Sequence, residues 1–183
     1  MPLVEIISAG AASVQVISTV IPQLNGARSV VLEIDNNTGA TLTRVRDEQK
    51  RGSFAVTPES VIPPLHADVF GAHSKGGSVD TGTEGSVVYN IGNLGELAIS
   101  WDNPFFGDSS ASAAISGENQ SLFQVRITVR VGDTDTHIRY ELFDHAQVVI
   151  PSPRAPDVFW IGPDWGVSKT WVKPVSDHEI PPM

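Results

Sequence analysis

From residue 29 onward the chain is a succession of short strand-like runs, each closed by turn residues. That rhythm restricts it to a sandwich or a barrel. The runs are Ser29–Asn36, Thr41–Arg46, Ser53–Val56, Ala67–Phe70, Ser86–Ile91, Glu96–Trp101, Phe123–Val131, His137–Phe143, Ala146–Ile150 and Val158–Ile161. In the seventh, Phe123, Val125, Ile127 and Val129 alternate with Gln124, Arg126, Thr128 and Arg130, which predicts one buried and one wet face. Frequent punctuation, with 16 Gly and 13 Pro, fits the same class. No internal repeat or low-complexity tract interrupts it.

Two segments stand apart from this pattern. Residues 104–121 form the longest loop candidate, opening Pro104-Phe105-Phe106-Gly107-Asp108 and continuing into a Ser/Ala run. Paired phenylalanines beside Trp101 either fold back onto the core or face a partner. The tail from Ile150 is rich in Pro and holds Trp160, Trp165 and Trp171. Residues 151–174 read as an extended flap packing on the sandwich, and 175–183 as a frayed end.

Ahead of the strands lies an apolar stretch, Ala9 to Leu24. Ile17, Val20, Ile21 and Leu24 fall at i, i+3, i+4 and i+7, one stripe of an amphipathic helix. Ser13, Gln15, Ser18 and Gln23 lie mostly off it. Pro22 removes a backbone donor, so the helix is expected to kink or stop near Ile21. The stripe is shorter and more polar than the roughly 18 apolar residues that span a bilayer. Glu5 and the lack of a cationic start argue against a secretory leader. In water the stripe is expected to dock on the sandwich. The expected organisation is an N-terminal amphipathic segment over 1–28, a β-sandwich over 29–150 and a Pro/Trp-rich extension over 151–183.

Composition narrows function. Lys plus Arg is 12 against 21 Asp plus Glu, a net charge of -9, which opposes nucleic-acid binding by phosphate neutralisation. It equally opposes electrostatic capture by anionic lipid, leaving zwitterionic lipid and neutral glycan as compatible partners. Without cysteine there is neither disulfide nor thiolate chemistry. His66 with Asp68, and Asp135 with His137, have ligand-compatible spacing, but two ligands do not make a metal site. No nucleophile elbow, metalloprotease helix or phosphate-cradling loop with its Lys is present. The expectation is a non-enzyme without cofactor or metal.

The collinear order of several features resembles the actinoporins, pore-forming cytolysins of sea anemones. The features are Ala9-Gly10-Ala11, the segment Val14–Leu24, the junction Gly26 and Arg28, and the strand ending Asp35-Asn36 before Thr38-Gly39. They continue with Arg51-Gly52-Ser53, Val61-Ile62-Pro63, Ala67–Phe70, Thr81-Gly82 to Tyr89, and Leu97–Ser100 leading to Pro104-Phe105. The resemblance covers about residues 8–108. It implies a mainly β fold, a sandwich with a detachable N-terminal helix. It implies recognition of a zwitterionic lipid headgroup, often sphingomyelin, and self-association into an oligomeric pore. Carried over by position, headgroup candidates are Ser53, Ser100, Pro104 and Phe105. Trp101 and Phe106 join them as interfacial rings, and Val14, Ile17, Val20, Ile21 and Leu24 form the inserting helix. The protein is then expected to be secreted and soluble until it meets a membrane. The alternative is a glycan-binding lectin of the fungal fruit-body type, which looks like the same sandwich without lysis. A third possibility is an accessory protein that has lost lysis.

Overall fold

A computed structural model describes residues 7–8, 20–24, 26–75, 81–132 and 135–145, together with the backbone of 165–173. The strands, in chain order, are β1 (Ile7–Ser8), β2 (Ser29–Asn37), β3 (Leu42–Arg51), β4 (Ser53–Val56), β5 (Val61–Ile62) and β6 (His66–His73). They continue with β7 (Thr83–Ile91), β8 (Gly95–Asn103), β9 (Ser110–Ser116), β10 (Phe123–Gly132), β11 (Asp135–Asp144) and β12 (Trp165–Lys173). They form a seven-stranded sheet, ordered β1-β6-β2-β11-β10-β12 with β4 also on β6, and a five-stranded sheet ordered β5-β3-β7-β8-β9. β2 and β11 run parallel; the other described pairs are antiparallel.

Alternation along the strands fills the space between the sheets. Val30, Leu32 and Ile34 of β2, Leu97, Ile99 and Trp101 of β8, and Phe123, Val125, Ile127 and Val129 of β10 share one buried cluster. Phe54, Phe70 and Trp101 meet within it at centroid separations of 5.9–6.2 Å. Buried polar tips find partners: Tyr140 donates to the Ser100 carbonyl at 2.6 Å, and Trp101 Nε1 donates to Thr83 Oγ1 at 3.4 Å. At Gly52 the chain leaves β3 in one sheet and enters β4 in the other. Its φ of +84° and its contact with the His73 carbonyl, where a Cβ would come within 2.3 Å, admit glycine alone.

Two expectations need correction. The Ser/Ala run is a strand, β9, and not part of a long loop; it pairs with β8 from Asp102↔Ser110 to Glu96↔Ser116. The tail is more than a flap over Trp165–Lys173: its backbone extends the larger sheet by pairing with β10. The expected strands Ala146–Ile150 and Val158–Ile161 lie outside the described residues.

The N-terminal helix expected over Val14–Leu24 falls mostly outside them too, including Val14 and Ile17. Its end is described. Pro22 sits in the first turn of a 3₁₀ helix, Ile21–Gln23, that stops at an extended Leu24. Val20 packs with Val31 and Val69 on the outer face of the larger sheet, with Ile21 and Leu24 against them. Gly71 makes the seat, since a Cβ there would come within 2.8 Å of Val20 and 2.9 Å of Leu24.

Candidate functional site

The end of the sandwich where β8 hands over to β9 carries an exposed aromatic tip. Phe106 is 75% exposed and stands edge-on to Phe105, with ring centroids 4.8 Å apart and planes at 79°. Phe105 is half-buried because Arg28 holds it. The Arg28 Nη2 donates to the Phe105 carbonyl at 2.8 Å, and its guanidinium carbon lies 5.8 Å from the Phe105 ring centroid. The exposed Phe106 ring therefore stands beside a ring that a cation holds in place.

A polar frame fixes this tip to three strand ends. Asn103 Nδ2 donates to the Ser29 carbonyl at 2.8 Å. Ser109 donates to Asn103 Oδ1 at 2.9 Å and lies 2.9 Å from the Thr136 hydroxyl. Ser29 in turn donates to Asp135. The frame closes the loop from Pro104 to Gly107 at both feet, so the rings project from a braced base and not from a long flexible hairpin.

The other expected site residues separate. Pro104 belongs to the tip. Trp101 does not face outward: it is 1% exposed, because the β8 alternation sends Leu97, Ile99 and Trp101 to the core. Its assignment as an interfacial ring is corrected on that ground. Ser53 stands on β4, half-buried, with its Oγ 3.2 Å from His73 Nε2. Ser100 lies on the outer face of the five-stranded sheet and pairs its hydroxyl with Ser112 at 2.7 Å. The two serines thus stand on strands of different sheets. Lys50 and Arg51 both turn to Glu84, at 3.3 and 2.8 Å. Those cations hold its carboxyl below the usual range against the opposing effect of desolvation.

Arg28, Asn103 and Ser109 are the residues that sequence reasoning left without a role at the site. Arg28 appeared as part of a junction, but its partner Phe105 lies 77 positions away, and no local pattern connects them. Asn103 before Pro104 carried a weak turn signal. Among the described residues no group of three or more His, Asp or Glu side chains could hold a metal ion.

A second charged region lies on the outer face of the larger sheet, and it is buried. Arg126 makes a bidentate pair with Glu141, at 2.7 Å for each bond. Arg139 binds Asp35 through Nε at 2.7 Å and also through Nη2, and reaches Glu33 at 3.6 Å. His137 Nε2 lies 3.3 Å from Glu33. Burial, then the Glu33 charge, pushes the Asp35 carboxyl up to about 8 in spite of Arg139. Burial acts on Glu33 as well, but the bond with His137 and the charge of Arg139 outweigh it and hold that carboxyl low.

No family model matches the chain. An uncharacterized protein of Dictyostelium discoideum is 26% identical over 141 residues; the match spans 63% of this chain but 13% of that much longer protein. Among solved structures, the lipid-binding protein Nakanori superposes with a TM-score of 0.58 at 19% identity, covering 69% of this chain and 76% of its own. RahU, solved with a Tris molecule, gives a TM-score of 0.49 at 15% identity over 66% of this chain and 97% of its own. The Nakanori superposition shows a shared sandwich fold.

Proposed function

We propose that this protein binds lipid membranes through the tip at Pro104, Phe105 and Phe106, with Arg28 beside it. The observation that carries the reading is Phe106, a ring 75% exposed on a loop braced at both feet. An aromatic pair held outward is costly in water and favourable at a bilayer interface, where rings and guanidinium groups both partition. The fold shared with a lipid-binding protein supports the same reading. The net charge of -9 favours a zwitterionic surface, sphingomyelin included, over an anionic one. On this reading the chain acts by binding rather than by catalysis, and is secreted and soluble until it meets its target.

The finer part of the proposal is that binding precedes pore formation. The segment from Val14 to Leu24 would leave the sheet and insert with those of neighbouring protomers, since one amphipathic helix cannot satisfy its polar face in lipid. Val20, Ile21 and Leu24 are its docked end, and Gly71 is the seat they must vacate.

Vesicle co-sedimentation and dye leakage test both parts. Phe106→Ala is expected to weaken binding to phosphatidylcholine–sphingomyelin vesicles by about tenfold, the worth of one buried ring at an interface, with unchanged melting. Unchanged binding by that variant would overturn the tip. A disulfide between Val20→Cys and Val69→Cys, neighbours in the docked cluster, is expected to abolish leakage and leave binding intact. Leakage that persists in the oxidised protein removes the segment from the mechanism.

A further inference from the structure

A sheet edge offers unpaired backbone donors and acceptors, and most proteins guard it with charges, bulges or very short strands. Here β1 and β4 guard one edge of β6 by their length, two and four residues. β3, beyond its short contact with β5, carries Arg44, Arg46, Asp47, Glu48, Lys50 and Arg51, and its register breaks twice. β9 has none of these devices. It is seven residues long, Ser-Ala-Ser-Ala-Ala-Ile-Ser, without charge, Pro or bulge, and its register with β8 is unbroken. Among the described residues no strand pairs with its outer edge.

We propose that β9 is a docking edge for β9 of a second copy of this chain, joined antiparallel across a two-fold axis. An isologous contact sets each residue near its own counterpart, so a charged group close to the axis meets its like. A chain at -9 can pair with itself along a strip free of charge, and β9 is such a strip. With the axis at Ala113, Ser112 of one copy faces Ala114 of the second, and Ser110 faces Ser116. The outward side chains are all Ser or Ala, which lets two edges approach to the 4.7–4.9 Å of a normal ladder. The two five-stranded sheets would then run on as one.

This pairing goes beyond membrane binding and does not depend on it, but it bears on it. β9 starts at Ser110, directly after the braced tip. Antiparallel pairing therefore sends the two Phe106 rings to opposite ends of the dimer. Such a dimer cannot lay both tips on one flat bilayer, whereas it can bridge two.

Light scattering coupled to gel filtration, from about 1 µM to about 100 µM, tests the pairing in water. Wild type is expected to move from one chain mass, 19.6 kDa, towards twice that value. Ala114→Lys alone and Ser112→Glu alone should each remain monomeric with unchanged melting, since both side chains are exposed. Mixed one to one, they should dimerise again, because the introduced charges then face each other. A wild type that stays monomeric at the highest concentration overturns the proposal, as does a dimer that A114K leaves intact. Turbidity of phosphatidylcholine–sphingomyelin vesicles gives the second readout: wild type clusters them, and A114K binds without clustering. A dimer that neither binds nor clusters vesicles upholds the pairing and sinks the lipid reading instead.

Discussion

On the outer face of the larger sheet, Glu33, Asp35 and Glu141 are 3%, 0% and 2% exposed, locked against Arg139, Arg126 and His137. On the outer face of the smaller sheet, Ser86, Ser100 and Ser112 run in register across three strands and stay at least partly open to water. Both faces come from strands that alternate apolar and polar residues. In one the polar set is surface; in the other it has become interior, and each charge needs a neighbour of opposite sign. Polarity of one face in the sequence therefore says which residues avoid the main core, and leaves open whether that face is wet.

The ion network is where the contrast can be broken most forcibly. Arg139→Met removes the cation that holds the buried Glu33 charge and binds Asp35, and is expected to cost about 3–5 kcal/mol, the usual penalty for leaving a buried charge, here that of Glu33, short of its partner. Denaturant melts give the number. A loss under about 1 kcal/mol would mean that this face is effectively solvated.

Much of the sandwich was legible in the sequence because alternation and burial agree in β8 and β10, where Leu97, Ile99, Phe123 and Val125 all face inward. The same alternation already places Trp101 in the core, two residues after Ile99. Its reading as an interfacial ring followed the neighbouring phenylalanines instead of the strand. β9 was hidden for a different reason. Its inward residues, Ala111, Ala113 and Ile115, give little apolar contrast with Ser and Ala outside. Of the candidate site, Phe105 and Phe106 were visible as an odd pair in a loop. The brace was not, since it joins Ser29, Asn103, Ser109 and Thr136 from distant parts of the chain.

The covered face also has a wedge point. Gly71→Val would push a side chain into Val20 and Leu24, and overpacking of this kind costs about 1–3 kcal/mol. The cost is expected to appear as release of the docked segment, read as faster proteolysis ahead of Asn25 while the sandwich core keeps its hydrogen-exchange protection. Uniform loss of protection across the sheets would show instead that the segment and the sandwich unfold together.

Acidity distinguishes buried from open carboxyls more gently. Burial raises Asp35 to about 8 and Asp68 to about 7. For both, the folded state binds protons more tightly than the unfolded chain. Their contribution is thus complete below the ordinary carboxyl range near 4 and lost as pH rises through about 7–8. Glu33, held low, acts in the opposite sense: its contribution is present above the ordinary carboxyl range and is lost as pH falls below it. Melting temperature is expected to be higher at pH 5.5 than at pH 8.5, and Asp68→Asn should flatten part of that slope. A melting temperature that rises with pH across this window would contradict the buried, proton-retaining state of both groups.

Ser100→Ala probes the open face and is expected to do least. The bond it removes, to the Ser112 hydroxyl, is exposed, so water replaces it and stability should stay within about 0.5 kcal/mol. Its bearing on function is sharper. The family resemblance sets Ser100 in a headgroup site with Pro104 and Phe105, while the strand alternation turns its hydroxyl onto the open sheet face, where it meets Ser112. If the tip alone meets lipid, vesicle binding by S100A remains within about twofold of wild type, where F106A loses about tenfold. A loss in S100A as large as in F106A, with melting unchanged, would extend the contact surface from the tip onto the open sheet face. The two outer faces would then differ in role as well as in burial, one locking the fold and the other meeting the membrane.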